Sequence, residues 1–140
     1  MLSKKAKYAL KALLFLYKNE DRGVILIAEI SETEGIPKKF LEQILLELKK
    51  QGILQSKRGK EGGYFLGKKA SEIGIGQVVR IIDGPLAPIP CVSKMAYRRC
   101  DECIDEKTCE IRNLFMQVRD ATIEILDNTS LQDLEQKNIL

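Results

Sequence analysis

Four cysteines carry most of the reactive chemistry in this chain of 140 residues. They are spaced Cys91-x8-Cys100-x2-Cys103-x5-Cys109, and there is no histidine anywhere. No apolar run is long enough to span a membrane, and no charged-then-apolar leader ends in a small-residue cleavage site. A cytoplasmic location without a membrane partner is therefore expected. A structural disulfide framework does not persist there, so clustered thiols point to a metal site or to redox chemistry. Four thiolates are a sufficient ligand set for an iron–sulfur cluster, [2Fe–2S] or [4Fe–4S]. They also suit tetrahedral zinc, although structural zinc sites more often use two CxxC-like pairs, and only Cys100 and Cys103 have that spacing. The same pair would serve as a thiol–disulfide switch, since a CxxC arrangement can lower a thiol pKa. The remaining reading is four unligated thiols on a loop. Without histidine, most hydrolase and transferase chemistry lacks its base near neutral pH. A CxxC oxidoreductase would set its motif after a strand in a βαβ unit, whereas this one follows Pro85, Pro88 and Pro90. The chain is not expected to be an enzyme.

A second group of residues suits a polyanion. Residues 1–70 contain 15 Lys/Arg against 8 Asp/Glu, a balance of +7, while residues 71–140 contain 8 against 12, a balance of −4. The net charge of +3 conceals this split, which directs one half of the chain toward a polyanion. Lys38, Lys39, Glu42 and Gln43 share a face near the start of one helix. Lysine reaches phosphates or guanine, glutamate accepts from cytosine N4, and glutamine pairs with adenine. An ordinary solvated face with i,i+4 Glu–Lys pairs has the same composition. A second basic segment decides between them: Lys57, Arg58, Gly59 and Lys60 form a glycine-containing turn, and an arginine on a narrow hairpin suits a narrow minor groove.

The elements that must hold these residues are legible in periodicity and punctuation. Residues 4–18 read as a helix with Ala6, Ala9, Leu10, Leu13, Leu14 and Tyr17 on one face. Val24-Ile25-Leu26 reads as a short strand that pairs with a later hairpin. A second helix runs from Ile27 to about Thr33 and stops at Gly35. Pro37 belongs in the first turn of a third helix whose buried face is Phe40, Leu41, Ile44, Leu45 and Leu48, with Gly52 as a left-handed cap. Residues 53–56 and 64–66 read as the strands of the hairpin. A helix from Ile75 to about Ile82 ends at Asp83-Gly84-Pro85. The longest helix spans Ile111 to Leu126, with a broad apolar stripe that includes Ile111, Leu114, Phe115, Val118 and Ile125. So wide a stripe is most simply buried against a second subunit. Ser130 and Asp133 have the spacing of a capping box for a short final helix.

Taken together, LSKKAKYALKAL, EISETEGIPKKFLEQILLELKKQGIL, SKRGKEGGYFL and IGIGQVVRIIDGPLAP resemble the Rrf family of bacterial winged-helix transcription regulators, the IscR/NsrR/CymR-like proteins. The likeness extends from Leu2 to about Leu134. Its most specific part is Leu41-Glu42-Gln43 combined with Arg58-Gly59 and Gly62-Gly63-Tyr64. The resemblance implies a mainly α fold with a small β-hairpin wing: a winged helix-turn-helix followed by a long C-terminal dimerisation helix. It implies a homodimer bound to a pseudo-palindromic operator in double-stranded DNA, with Lys38, Lys39, Glu42 and Arg58 at DNA-contacting positions. It also implies three cysteine ligands in the loop before the dimer helix, matched by Cys91, Cys103 and Cys109. Cys100 is additional, and Arg112 stands where the IscR pattern has a histidine. A fourth ligand would then be Cys100, or a carboxylate such as Asp101 or Asp105, or no cluster binds. Residues 1–84 form the expected DNA-binding domain, 85–110 a Pro/Cys-containing sensor loop, and 111–140 the dimerisation helix with a short C-terminal helix. The expected function is a transcription regulator under iron–sulfur or redox control. The alternative is a cofactor-free regulator governed by a partner protein, a small molecule or a thiol switch.

Overall fold

In the computed structural model, which describes residues 2–136, the chain is organised around helix α1 (Lys4–Lys18). Ser3 caps its N-terminus by accepting the Ala6 N–H at 2.9 Å. Ala6, Ala9, Ala12, Leu13, Phe15 and Leu16 are buried, and α1 packs against most of the other helices and the second hairpin strand. The single apolar face expected for this helix is therefore too narrow. Leu10, Leu14 and Tyr17 are only partly buried, while Ala12, Phe15 and Leu16 lie deeper because neighbours enclose α1 on several sides.

Helix α2 (Ile27–Glu34) and helix α3 (Lys38–Lys50) form the helix-turn-helix. Pro37 sits one position earlier than expected, at the N-cap of α3 with φ −55°. The end of α3 follows the expectation. Gly52 has φ 78°, its N–H donates to Lys49 O at 3.0 Å, and the Ile53 N–H donates to Leu48 O at 3.0 Å. These are the paired bonds of a Schellman motif.

Strands β1 (Leu54–Lys57) and β2 (Gly63–Leu66) form an antiparallel hairpin with Leu54 opposite Leu66 and Lys57 opposite Gly63. The segment expected to be a short strand contributes one bridge. Ile25 N–H donates to Tyr64 O at 2.9 Å, and Tyr64 N–H donates to Ile25 O at 2.8 Å. Gly63 makes this approach possible, because a Cβ there would lie 2.2 Å from Ile25 O.

Helix α4 (Ile75–Asp83) leads through the proline-rich segment to a short 3-10 turn at Pro90–Val92 and a second at Glu106–Thr108. Helix α5 (Glu110–Asp127) is the longest element, and helix α6 (Leu131–Gln136) closes the described chain. The expected capping box is formed: Ser130 N–H donates to Asp133 Oδ2 at 3.0 Å, and Asp133 N–H donates to Ser130 Oγ at 3.1 Å.

The junction of α4, α5 and α6 is closely tied. Arg80 donates twice to Asp127, at 2.7 and 3.0 Å. A Cβ at position 76 would fall 2.1 Å from Asp127 Oδ1, so this packing requires Gly76. Ile75 N–H donates to Thr129 O at 2.9 Å, Leu131 N–H donates to Ile73 O at 2.8 Å, and Leu131 is fully buried in the same core as α1 and α3. Among the described residues, no helix is long and apolar enough to cross a membrane.

Candidate functional site

The basic residues expected to contact DNA are exposed at the start of α3 and at the hairpin tip. In α3, Leu41, Ile44, Leu45 and Leu48 are buried, and Phe40 packs edge-on against Tyr8 with ring centroids 5.7 Å apart. The opposite face leaves Lys38, Lys39, Glu42 and Gln43 in solvent. Lys57, Arg58, Gly59 and Lys60 are exposed at the hairpin tip, which closes with the Gly62 N–H donating to Gly59 O at 2.9 Å. Among the described residues, none of Lys38, Lys39, Lys57, Arg58 and Lys60 has an ion-pair partner, whereas Lys5 pairs with Glu47, Arg22 with Glu29 and Arg80 with Asp127. These five cations are free to neutralise an external anion. Each unpaired cation set against a phosphate releases condensed counterions.

All four cysteines line one cavity of about 620 Å³. Cys91 is buried, Cys103 and Cys109 are half-buried, Cys100 is exposed, and all four are free thiols. Asp101 and Asp105 line the same cavity. Among the described residues, no three Cys, Asp or Glu side chains converge tightly enough to hold a single metal ion. Thiolates and carboxylates are donor types that an iron–sulfur cluster accepts. Tetrahedral zinc needs its ligands drawn together. Cys91, Cys103 and Cys109, with Cys100, Asp101 and Asp105, line the cavity where such a cluster would be held.

The cavity has a scaffold that residue spacing did not reveal. Arg112 Nε donates to Cys91 O at 3.3 Å and lies 3.5 Å from a Glu106 carboxylate oxygen. One turn-pair further along α5, Arg119 Nη1 donates to Val92 O at 2.9 Å. Glu106 also accepts from the Tyr97 hydroxyl, which raises the phenol above its ordinary pKa. Cys109 caps α5 through its Sγ, which accepts the Arg112 N–H at 3.4 Å. Arg112, at the position of the family histidine, is thus a strut that holds the loop start to the helix.

The CxxC pair departs from expectation. The Cys103 N–H donates to Cys100 O at 3.1 Å, forming a turn. Hydrogen bonding to the Glu102 carboxylate pushes the Cys100 thiol above its ordinary value rather than below it. A carboxylate acceptor stabilises the protonated thiol.

On α5, Ile111, Leu114, Val118 and Ile125 are exposed, and Phe115 is half-buried at the edge of the stripe. The spacing 111, 114, 118 and 125 is that of a coiled-coil seam. Met116, Ile123 and Leu126 are half-buried, and Leu126 packs against the core.

The match to known proteins spans the chain. A family model for Rrf2, described as "Iron-dependent Transcriptional regulator", matches residues 2–137. The chain belongs to the Rrf2 family. Its members are transcriptional regulators, so it is not an enzyme. An HTH-type regulator of Rhodobacter capsulatus, named rrf2-like, is 45% identical over 137 residues, covering 96% of this chain and 91% of that protein. The Escherichia coli regulator IscR is 34% identical over 133 residues, covering 95% of this chain and 78% of that protein. Among solved structures, CymR of Bacillus subtilis, described as the global cysteine regulator, superposes with a TM-score of 0.79 at 30% identity, covering 97% of this chain and 96% of that one. This Rrf2-family likeness includes both the helix-turn-helix with its wing and the long α5.

Proposed function

We propose that this Rrf2-family chain is a homodimeric, sequence-specific regulator whose operator binding is set by the state of the cysteine cavity. The observation that carries the DNA-reading part is the exposure, without ion-pair partners, of Lys38 and Lys39 at the start of α3 together with Lys57, Arg58 and Lys60 on the wing. Lys38 and Lys39 touch phosphates or guanine, Glu42 and Gln43 read base edges, and Arg58 enters the minor groove flanked by Lys57 and Lys60 at the turn of Gly59. The exposed seam Ile111, Leu114, Val118 and Ile125, edged by Phe115, pairs with its copy in a second subunit, and the two readers then meet a pseudo-palindromic operator. A bacterial cytoplasmic setting accords with this role.

A cluster bound by Cys91, Cys103, Cys109 and a fourth donor would supply an oxidant-sensitive centre at the base of α5. The chain's own contribution is mechanical. Arg112 and Arg119 tie the Cys91 and Val92 carbonyls to α5, so a change in order along residues 91–109 reaches the dimer helix directly. To act as a switch, the two loop states must differ in their affinity for operator. The cavity volume of about 620 Å³ also lies within the small-molecule range, which favours an effector ligand as the second reading.

The test is purification with and without air, followed by absorbance, iron and sulfide analysis and operator binding at graded salt. A coloured anaerobic protein with changed operator affinity is expected. If the dimer engages about six to ten phosphates, affinity falls by about 10³–10⁵ between 50 and 200 mM salt. A colourless protein whose affinity ignores iron and oxidants would leave the effector-ligand reading in its place.

A further inference from the structure

We propose that Leu46 is a base-reading residue that selects thymine through its C5 methyl group in the major groove. This rests on α3 being the reading helix and assigns one more contact to it. At 100° per residue, Lys39, Glu42, Gln43, Leu46 and Lys50 fall within an arc of about 100°, and Leu46 stands near its middle. Leu41, Ile44, Leu45 and Leu48 occupy the opposite arc and are buried. Leu46 is 47% exposed and is not packed against the core. It is the apolar member of an otherwise charged or polar face.

Three arguments give that position a role. First, recognition helices read base edges with residues spaced i, i+3, i+4 and i+7, which here are Lys39, Glu42, Gln43 and Leu46. Second, the rise from Lys39 to Leu46 is about 10 Å, or roughly three base-pair steps at 3.4 Å each, so the set spans one half-site. Third, the major groove offers one apolar feature, the thymine methyl, and a leucine has no polar group with which to read anything else. Glu42 and Gln43 address cytosine and adenine, and Leu46 adds the base they cannot select. Thymine is therefore expected about one base step beyond the adenine paired with Gln43.

The experiment uses the full chain. Wild type, Leu46→Ala, Leu46→Met and Gln43→Ala each select from a pool of random-sequence duplexes. Binding is then measured on the wild-type consensus made with thymine or with deoxyuridine at single positions, which removes only the methyl group. One thymine per half-site should prove sensitive in the wild type. Its replacement should weaken binding about fourfold, and replacement in both half-sites more than tenfold. Leu46→Met should keep the sensitivity, and Leu46→Ala should bind both duplexes alike. A wild type indifferent to deoxyuridine at every position overturns the assignment, as does a Leu46→Ala variant that stays fully sensitive. The deoxyuridine scan on the wild type decides the matter even if a variant folds poorly. If Gln43→Ala changes the consensus and Leu46→Ala does not, α3 remains the reader and only Leu46 is excluded. If neither changes it, or the wild type enriches no sequence, both readings fall.

Discussion

Glu102 sits beside the cysteine two positions before it. Its carboxylate accepts from the Cys100 thiol and raises that thiol's pKa, so near neutral pH less of it is thiolate than in a free cysteine. Removing the acceptor returns the pKa toward its ordinary value. Glu102→Ala is expected to speed Cys100 alkylation by iodoacetamide at pH 8 severalfold, as followed by per-cysteine mass spectrometry; an unchanged rate would remove Glu102 as the cause. Arg58 is exposed and unpaired, so its replacement costs the fold little and the complex much. Arg58→Ala in both subunits should weaken operator binding and flatten the slope of log affinity against log salt by about 2, as measured by fluorescence anisotropy across a salt series. At this scale the sequence identified reactive residue types but not their restraints. The thiols and cations stand out by kind, whereas Arg112 meets Cys91 across 21 positions and Arg119 meets Val92 across 27. No local pattern encodes such pairs.

Helix ends show the opposite behaviour, because their chemistry is local. Gly52 closes α3 and the Ser130–Asp133 pair opens α6 as the residue types dictate. What the pattern could not supply was the enclosure of α1, since a one-sided stripe describes a surface helix and this one is wrapped by its neighbours. It also could not supply the contact between α4 and the end of α5. Gly76→Ala forces the Asp127 side chain away from Arg80 and is expected to cost at most about 1 kcal/mol, as read from denaturant melts. The same contact has a pH signature. The Arg80 hydrogen bond holds the Asp127 carboxyl below its ordinary pKa, so the stability it contributes is present above the usual carboxylate range and is lost as the pH falls through the lowered value. The gap in melting temperature between wild type and Asp127→Asn, present at pH 7, should therefore close below about pH 4. A gap independent of pH would remove the ion pair as its source.

Across the whole molecule, the exposed seam of α5 is the surface on which the proposed dimer rests. A charge placed on it should keep the fold and lose the dimer. Val118→Asp is expected to sediment as a monomer with helical content intact and operator affinity reduced by orders of magnitude, whereas a stable dimer would place the interface elsewhere. The fold class was legible at this scale because hairpin, cap and periodicity agreed. The anchoring of the last helix was not, since Leu131 looks like any leucine of a short amphipathic segment. Its burial among side chains of α1 and α3 has a consequence for how the molecule is made. Residue 131, which completes the core of the helix-turn-helix half, leaves the ribosome only after the cysteine loop and α5 have been synthesised. A nascent chain stalled before position 131 carries α3 and the wing but lacks the leucine that seats against the first helix. A chain cut short there therefore holds its helix-turn-helix on an incompletely packed core.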